Sequence, residues 1–243
     1  MRKILFKNIK FLELKENQFY KIISKNGLFV FPSGPGLASI SENKNYYNSL
    51  KNADFVFLDS GFFVILLRIF KNKSLMKFSG YKFLKYFFKY LKQNRDQSIL
   101  CIDPNIDFSK KNKKYIRNLG INKVDNYIAP NYDVRDLNDY KLLIKIKSIK
   151  PIFILINISG GKQEILGIFL KKNLKHNCSI ICTGGAISFF TGDQAPINSF
   201  IDNFYLGWLV RLVFNPIIFF KRYLSGLKLI PMVFFDKIQV LDS

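Results

Sequence analysis

Acidic residues are scarce in this chain: 17 Asp and Glu stand against 38 Lys and Arg, which leaves a formal net charge of +21. So large a basic excess asks for a polyanionic partner, whether nucleic acid, an anionic membrane surface or a phosphorylated substrate. Histidine occurs once, as His176 in a polar stretch, so no second imidazole exists for a zinc pair. No Asp-X-Asp cluster appears where a metal holding donor phosphates would need one. Cysteine is limited to Cys101, Cys178 and Cys182, all in apolar surroundings and none at a metal or redox spacing. They read as reduced core residues of a cytosolic protein. Long apolar runs are missing too. The most apolar stretch, 204–220, is broken by Arg211, Asn215 and Pro216, whereas a spanning helix needs ~20 mostly apolar residues. It is suited to lie on a membrane rather than cross one. At the N-terminus Lys7, Lys10 and Lys15 interrupt any signal-peptide core.

What is present is core material. Hydrophobic residues make up 49% and aromatic residues 16% of 243 positions, enough for one large domain or a core with a small appendage. Short β-branched and aromatic runs predict strands at 28–31, 55–58, 99–102, 124–128, 152–157 and 179–182. Helical spacing predicts helices at 37–50, 62–70, 81–92, 110–119, 136–149 and 163–173. The strands are apolar at nearly every position, as expected when helices cover both faces of a sheet. The fold class is therefore α/β, a doubly wound, largely parallel sheet with a Rossmann-like core over 1–195. After Pro196 the alternation stops, and 196–243 reads as a basic, aromatic, helical appendage. Doubly wound sheets bind ligands at the carboxyl ends of their strands, so the segments just after each strand carry the functional expectations.

Asp59-Ser60-Gly61 ends a buried strand and opens a helix. The carboxylate of Asp59 is placed either to act as a general base on a sugar hydroxyl or to cap the helix. Pro32-Ser33-Gly34-Pro35-Gly36 is a Gly-rich turn before a helix. Its amides are candidates for a diphosphate, although it is neither a Walker sequence nor a GxGxxG fingerprint, and a plain turn fits as well. Ser159-Gly160-Gly161-Lys162-Gln163-Glu164 offers close backbone approach at the glycines and polar side chains for phosphate, base or sugar, with a capping turn as the alternative. Thr183-Gly184-Gly185-Ala186 repeats this design one unit later. Asp103, Asn131, Tyr132 and Asp193 also fall in loops expected to face ligand.

Together these stretches resemble the WecG/TagA/CpsF family of bacterial glycosyltransferases, glycosyltransferase family 26. The family's Ala-Asp pair, apolar strand and Asp-Gly are matched by Ala53-Asp54 through Asp59-Ser60-Gly61. Its Pro-Lys-Gln-Glu signature is matched by Gly161-Lys162-Gln163-Glu164. A longer series follows in order: Gly184-Gly185, Gly192, Gln194-Ala195-Pro196, Gly207-Trp208, Arg211, Pro216 and Lys221-Arg222-Tyr223. Ser33-Gly34-Pro35-Gly36 stands where the family usually has Thr-x-Asn.

The resemblance implies transfer of a sugar, typically of N-acetylmannosamine type, from a UDP donor to a polyprenyl-diphosphate-linked acceptor at the inner face of the cell membrane. Inversion, no metal and no cofactor go with it. By position the base is Asp59. The nucleotide-sugar pocket takes Ser33, Gly34, Gly36, Gly160, Lys162, Gln163, Glu164, Gly184 and Gly185. Arg211, Lys221 and Arg222 fall to the acceptor diphosphate and the membrane.

The charge balance suits an interfacial enzyme, since basic residues near anionic lipid contribute ~1 kcal/mol each. The rival readings are a non-catalytic basic protein of the membrane surface and a nucleic-acid binder, the latter with Tyr86, Phe87, Phe88 and Tyr90 as candidate base stackers. Leu84, Phe87, Phe88 and Leu91, however, fall at the spacing of a core-facing stripe, so no nucleic acid is expected. An exposed aromatic appendage would be covered by a membrane or by a second copy of the chain.

Overall fold

In the computed structural model, the described residues are 1–194, 210, 212–213 and 216–241. They form a nine-stranded sheet: β1 (Lys3–Phe6), β2 (Ile9–Leu12), β3 (Gly27–Val30), β4 (Phe55–Phe57), β5 (Ile99–Asp103), β6 (Val124–Ile128), β7 (Phe153–Ile156), β8 (Ser179–Cys182) and β9 (Gln239–Leu241). The spatial order is β6-β5-β7-β8-β3-β4-β2-β1-β9. Every pairing from β6 across to β2 is parallel, while β1 is antiparallel to both β2 and β9. The chain crosses from one half of the sheet to the other between β4 and β5. The β3–β8 boundary is thus a topological switch point, where such sheets open a ligand crevice.

Alternation along the strands divides the core into two layers, because successive side chains point to opposite faces. Leu28, Val30, Ile154, Ile156, Ile180 and Cys182 belong to one apolar cluster. Its helices are α2 (Gly34–Ala38), α3 (Lys44–Asn52), α4 (Gly61–Lys71), α7 (Tyr140–Ile149), α8 (Lys162–Asn173) and α11 (Leu229–Phe235). Phe29, Phe31, Phe57, Phe153, Leu155 and Ile181 face the other layer. There they meet α1 (Phe19–Ile23), α5 (Gly80–Gln93) and α6 (Ile106–Asn118). Phe31 stacks on Phe57 with ring centroids 4.6 Å apart, and Phe83 of α5 lies 4.9 Å from Phe31. Leu84, Phe87, Phe88 and Leu91 are all buried in this layer, so the aromatic stripe of α5 is core and not a base-stacking surface. The three cysteines are buried and not bridged.

The six strands expected from sequence are present, and three differences have physical causes. The lysine-rich start folds into the β1–β2 hairpin through Lys7 and Asn8, both at positive φ (48° and 59°), the backbone of a tight hairpin turn. The single helix expected over 37–50 is two, α2 and α3. Asn43 accepts a hydrogen bond from Tyr46 N (2.9 Å) and restarts the chain as a new helix. The helix expected from residue 136 starts at Tyr140 because Asp139 caps it at Leu142 N (2.8 Å).

After β8 comes the short α9 (Ser188–Thr191), and further along the chain α10 (Pro216–Gly226) packs against α2, with Gly226 lying on Pro35. β9 then closes the sheet against β1. Arg211 lies outside the described residues.

Candidate active site

At the carboxyl ends of β3 and β4 two turns meet. A Cβ on Gly34 would come within 2.9 Å of Ser60 Oγ, so only a glycine lets the turns touch. Ser60, not Asp59, caps α4, accepting a hydrogen bond from Phe63 N (3.1 Å). The Asp59 carboxylate is therefore not the cap of its own helix, α4. Its Oδ1 instead accepts from Gly80 N (2.8 Å) at the start of α5, where the helix dipole favours an anion. Asp54, of the Ala-Asp pair, is structural: it accepts from Leu28 N (2.8 Å) and pairs with Lys171 (2.6 Å), joining β3 to α8.

The turn after β7 is stitched to the turn after β8. Gln163 is buried, its Oε1 accepting from Gly184 N (2.7 Å) and its Nε2 donating to Glu164 Oε1 (2.9 Å). Glu164 is also buried and accepts from Gly161 N (2.7 Å), closing the N-terminus of α8. Burial raises its carboxyl to about 7, against the opposing pull of those hydrogen bonds and of the Arg222 guanidinium. Arg222 reaches in from α10 and donates to Ser33 Oγ (3.4 Å). Tyr46 completes the cluster. Its hydroxyl would lie 2.7 Å from a Cβ on Gly36, and Ser33 Oγ 3.3 Å from the same point. Burial first, then the charges of Glu164 and Asp59, push the Tyr46 phenol well above its usual range, so it stays a hydrogen-bond donor.

Glu164 gives a pH prediction. An unfolded Glu titrates near 4.5 and the folded one near 7, so the native state holds the proton longer, and stability falls as pH rises through that window. The difference is worth roughly 3 kcal/mol. Urea unfolding of the wild type at pH 5 and pH 8 is expected to show this loss, and Glu164→Gln is expected to flatten the slope.

Deeper in the same edge, Asn112, Asn157, Gln194, Ser159 and Ser188 help to line a cavity of about 200 Å³ beyond β5, β7 and β8. Asp103, expected to face ligand, is fully buried beneath it. Its carboxylate accepts from Asn112 (2.7 Å), Asn157 (2.8 Å) and Asn126 (3.0 Å) Nδ2. These bonds fix the amides, and among the described residues Asn112 Oδ1, Asn157 Oδ1 and Gln194 Oε1 have no partner. Asp103→Ala would strand two buried donors, Asn112 and Asn157, while Asn126 keeps Ser109 O as acceptor. A loss of about 2–3 kcal/mol is expected, read as a lower urea midpoint.

The other expected residues are placed as follows. Lys162 donates to Asn131 Oδ1 (2.8 Å) at the rim. Tyr132 and Asp193 serve structure: Tyr132 donates to Asp139 (2.7 Å), and Asp193 pairs with Lys111 and Thr191. Gly160 and Gly161 face open space, Gly185 lies under Gln194, and Lys221 is exposed with no ion pair among the described residues. Tyr46, Asn112 and Asn157 were not singled out from sequence. The Asn43 cap signal would have broken the helix and placed Tyr46 in a first turn facing Gly36. Among the described residues, no group of three His, Cys, Asp or Glu is arranged to hold a metal ion.

A carboxylate, a buried acid, a guanidinium and acceptor amides at one sheet edge are the equipment of group transfer from an activated phosphate ester. The sequence model of the glycosyl transferase WecG/TagA/CpsF family matches residues 3–242. The chain belongs to that family. The match spans both the sheet core and the C-terminal helices, and with it comes the activity class, glycosyl transfer in cell-envelope polymer synthesis. A comparison with curated proteins finds no match.

Proposed function

We propose that the protein moves a sugar from a UDP donor to a lipid-linked diphosphate acceptor by a single displacement with inversion. The observation that carries this reading is the meeting of Asp59, Glu164 and Arg222 around Ser33 and Tyr46 at the switch point. The acceptor hydroxyl attacks the anomeric carbon and gives its proton to Asp59, while the bond from that carbon to the diphosphate oxygen breaks. Charge growing on the leaving diphosphate is met by Arg222 and by the rim cation Lys162, with the open backbone of Gly160 and Gly161 allowing close approach.

The nucleoside lies in the cavity beyond β5, β7 and β8. Its unpartnered carbonyl oxygens at Asn112 and Asn157 suit the N–H of uracil and the ribose hydroxyls. No helix among the described residues is long and apolar enough to cross a membrane. Ile217, Phe220 and Leu224 nevertheless project from one face of α10, and Phe234 and Phe235 of α11 are exposed as well. This supports segment 196–243 as a membrane-associating appendage at the inner face, where aromatic and basic residues seat at the headgroups.

Titration calorimetry in EDTA tests the donor assignment. UDP is expected to bind without added metal, and ADP, whose adenine lacks the imide N–H that would donate to the Asn112 and Asn157 carbonyl oxygens, at least ~10-fold more weakly, a difference of about 1.4 kcal/mol. Equal affinity for the two nucleotides contradicts it.

A further inference from the structure

A second cavity, of about 430 Å³, opens near β1 and β2 and is lined by Met1, Arg2, Glu13, Lys15, Gln18 and Met76. It lies at the same edge of the sheet as Asp59. β2 runs parallel to β4 with Leu12 beside Phe57, so Glu13–Lys15 leave the sheet level with Leu58–Ser60. The bond from Glu13 N to Arg2 O (3.0 Å) sets Arg2 alongside. A single segment links the cavity to the base. Met76 N donates to Glu13 Oε1 (2.8 Å), Phe78 N to Leu58 O (2.9 Å) and Gly80 N to Asp59 Oδ1 (2.8 Å). Four residue steps span at most ~13 Å, and two strand spacings ~10 Å. The cavity is thus within about one sugar ring and a phosphate ester of the Asp59 carboxylate.

Its position in the strand order matters as much as its distance. The residues read as holding the donor follow β3, β7 and β8, on one side of β4, and this cavity lies on the other side. Inversion requires the acceptor to approach from the face opposite the leaving group. The lining is also apt: Lys15 is exposed and makes no ion pair among the described residues, and Arg2 is half-exposed. The one carboxylate, Glu13, is buried and engaged by Met76 N and by Arg2 (3.8 Å). Met1 and Met76 add flexible apolar surface of the kind that accommodates a lipid chain.

We propose that this cavity is the acceptor subsite, with Lys15 and Arg2 holding the diphosphate that links acceptor sugar to lipid while the sugar hydroxyl reaches Asp59. The inference rests on the transferase reading above, and the experiment separates the two. UDP release is measured with a short-chain prenyl-diphosphate-linked N-acetylglucosamine for wild type, Lys15→Gln, Lys15→Glu and the charge-matched control Lys10→Glu, which alters an exposed residue early in β2. Lys15→Glu is expected to raise the acceptor KM at least ~10-fold, Lys15→Gln by less, and Lys10→Glu hardly at all, with the donor KM and melting temperature unchanged throughout. Inorganic pyrophosphate is expected to compete with the acceptor in the wild type and to need a higher concentration against Lys15→Glu, which separates diphosphate recognition from lipid contact. An unchanged acceptor KM in Lys15→Glu, or an equal rise in Lys10→Glu, overturns the subsite and leaves the transferase intact. Absence of acceptor-dependent release in the wild type overturns the transferase reading and the subsite with it.

Discussion

Asp59→Asn is expected to lower turnover by about 10²–10⁴-fold, the usual loss when a positioned general base is removed. The carboxamide keeps an oxygen where Oδ1 accepts from Gly80 N, so the first turn of α5 is not disturbed and the melting temperature should hold. KM for the donor should change little, because the donor residues follow other strands. The rate loss comes from proton transfer: without a base, the acceptor hydroxyl must attack before its proton has anywhere to go. A merely structural Asp59 predicts the reverse pattern, a lower melting temperature with near-normal turnover of the protein that remains folded. Stopped assays at saturating donor, paired with thermal melts, separate the two.

Arg222→Ala is expected to cost about 10²–10³-fold in turnover, the range seen when one preorganised donor to a developing negative charge is removed. Arg222 comes from α10 yet touches Ser33 after β3, so the C-terminal segment completes a site built mainly by the core. It also lies close enough to Glu164 to lower that carboxyl's affinity for its proton. Loss of the guanidinium should therefore raise the Glu164 pKa further and move the pH dependence of stability to higher pH. Arg222→Lys keeps the charge but not the two-pronged geometry and should recover only part of the rate. The same variant thus gives two readouts, one in kinetics and one in the pH profile, and they share a single cause.

Strands buried on both faces announce themselves, which is why β3, β4, β5, β7 and β8 were legible as apolar runs, whereas β6, at the far edge with Asp125 and Asn126, was legible only from Val124, Tyr127 and Ile128. β1, β2 and β9 were not, because they lie at one end of the sheet and carry charged or polar residues such as Lys3, Lys10 and Gln239, which dilute the pattern. The break between α2 and α3 was hidden by apolar spacing that continues through it, and Tyr46 was hidden with it. In the candidate site, Ser33, Asp59, Gln163, Glu164 and Gly184 could be named because their chemistry sits in short turns next to strands. Asn112 and Asn157 could not, since each is unremarkable locally and becomes informative only when Asp103 gathers them from α6 and the end of β7. Asp103 itself illustrates the converse: a carboxylate at a strand end faces inward when enough amides surround it.

Every role proposed above depends on metal-independent sugar transfer at the edge that holds Asp59. Its most direct test is UDP release by the purified protein with a panel of UDP-sugars, a polyprenyl-diphosphate-linked N-acetylglucosamine acceptor, and EDTA. Release is expected to require the acceptor, to persist in EDTA and to select one donor from the panel. Release that ignores the acceptor, or none from a folded protein with any donor, would contradict it.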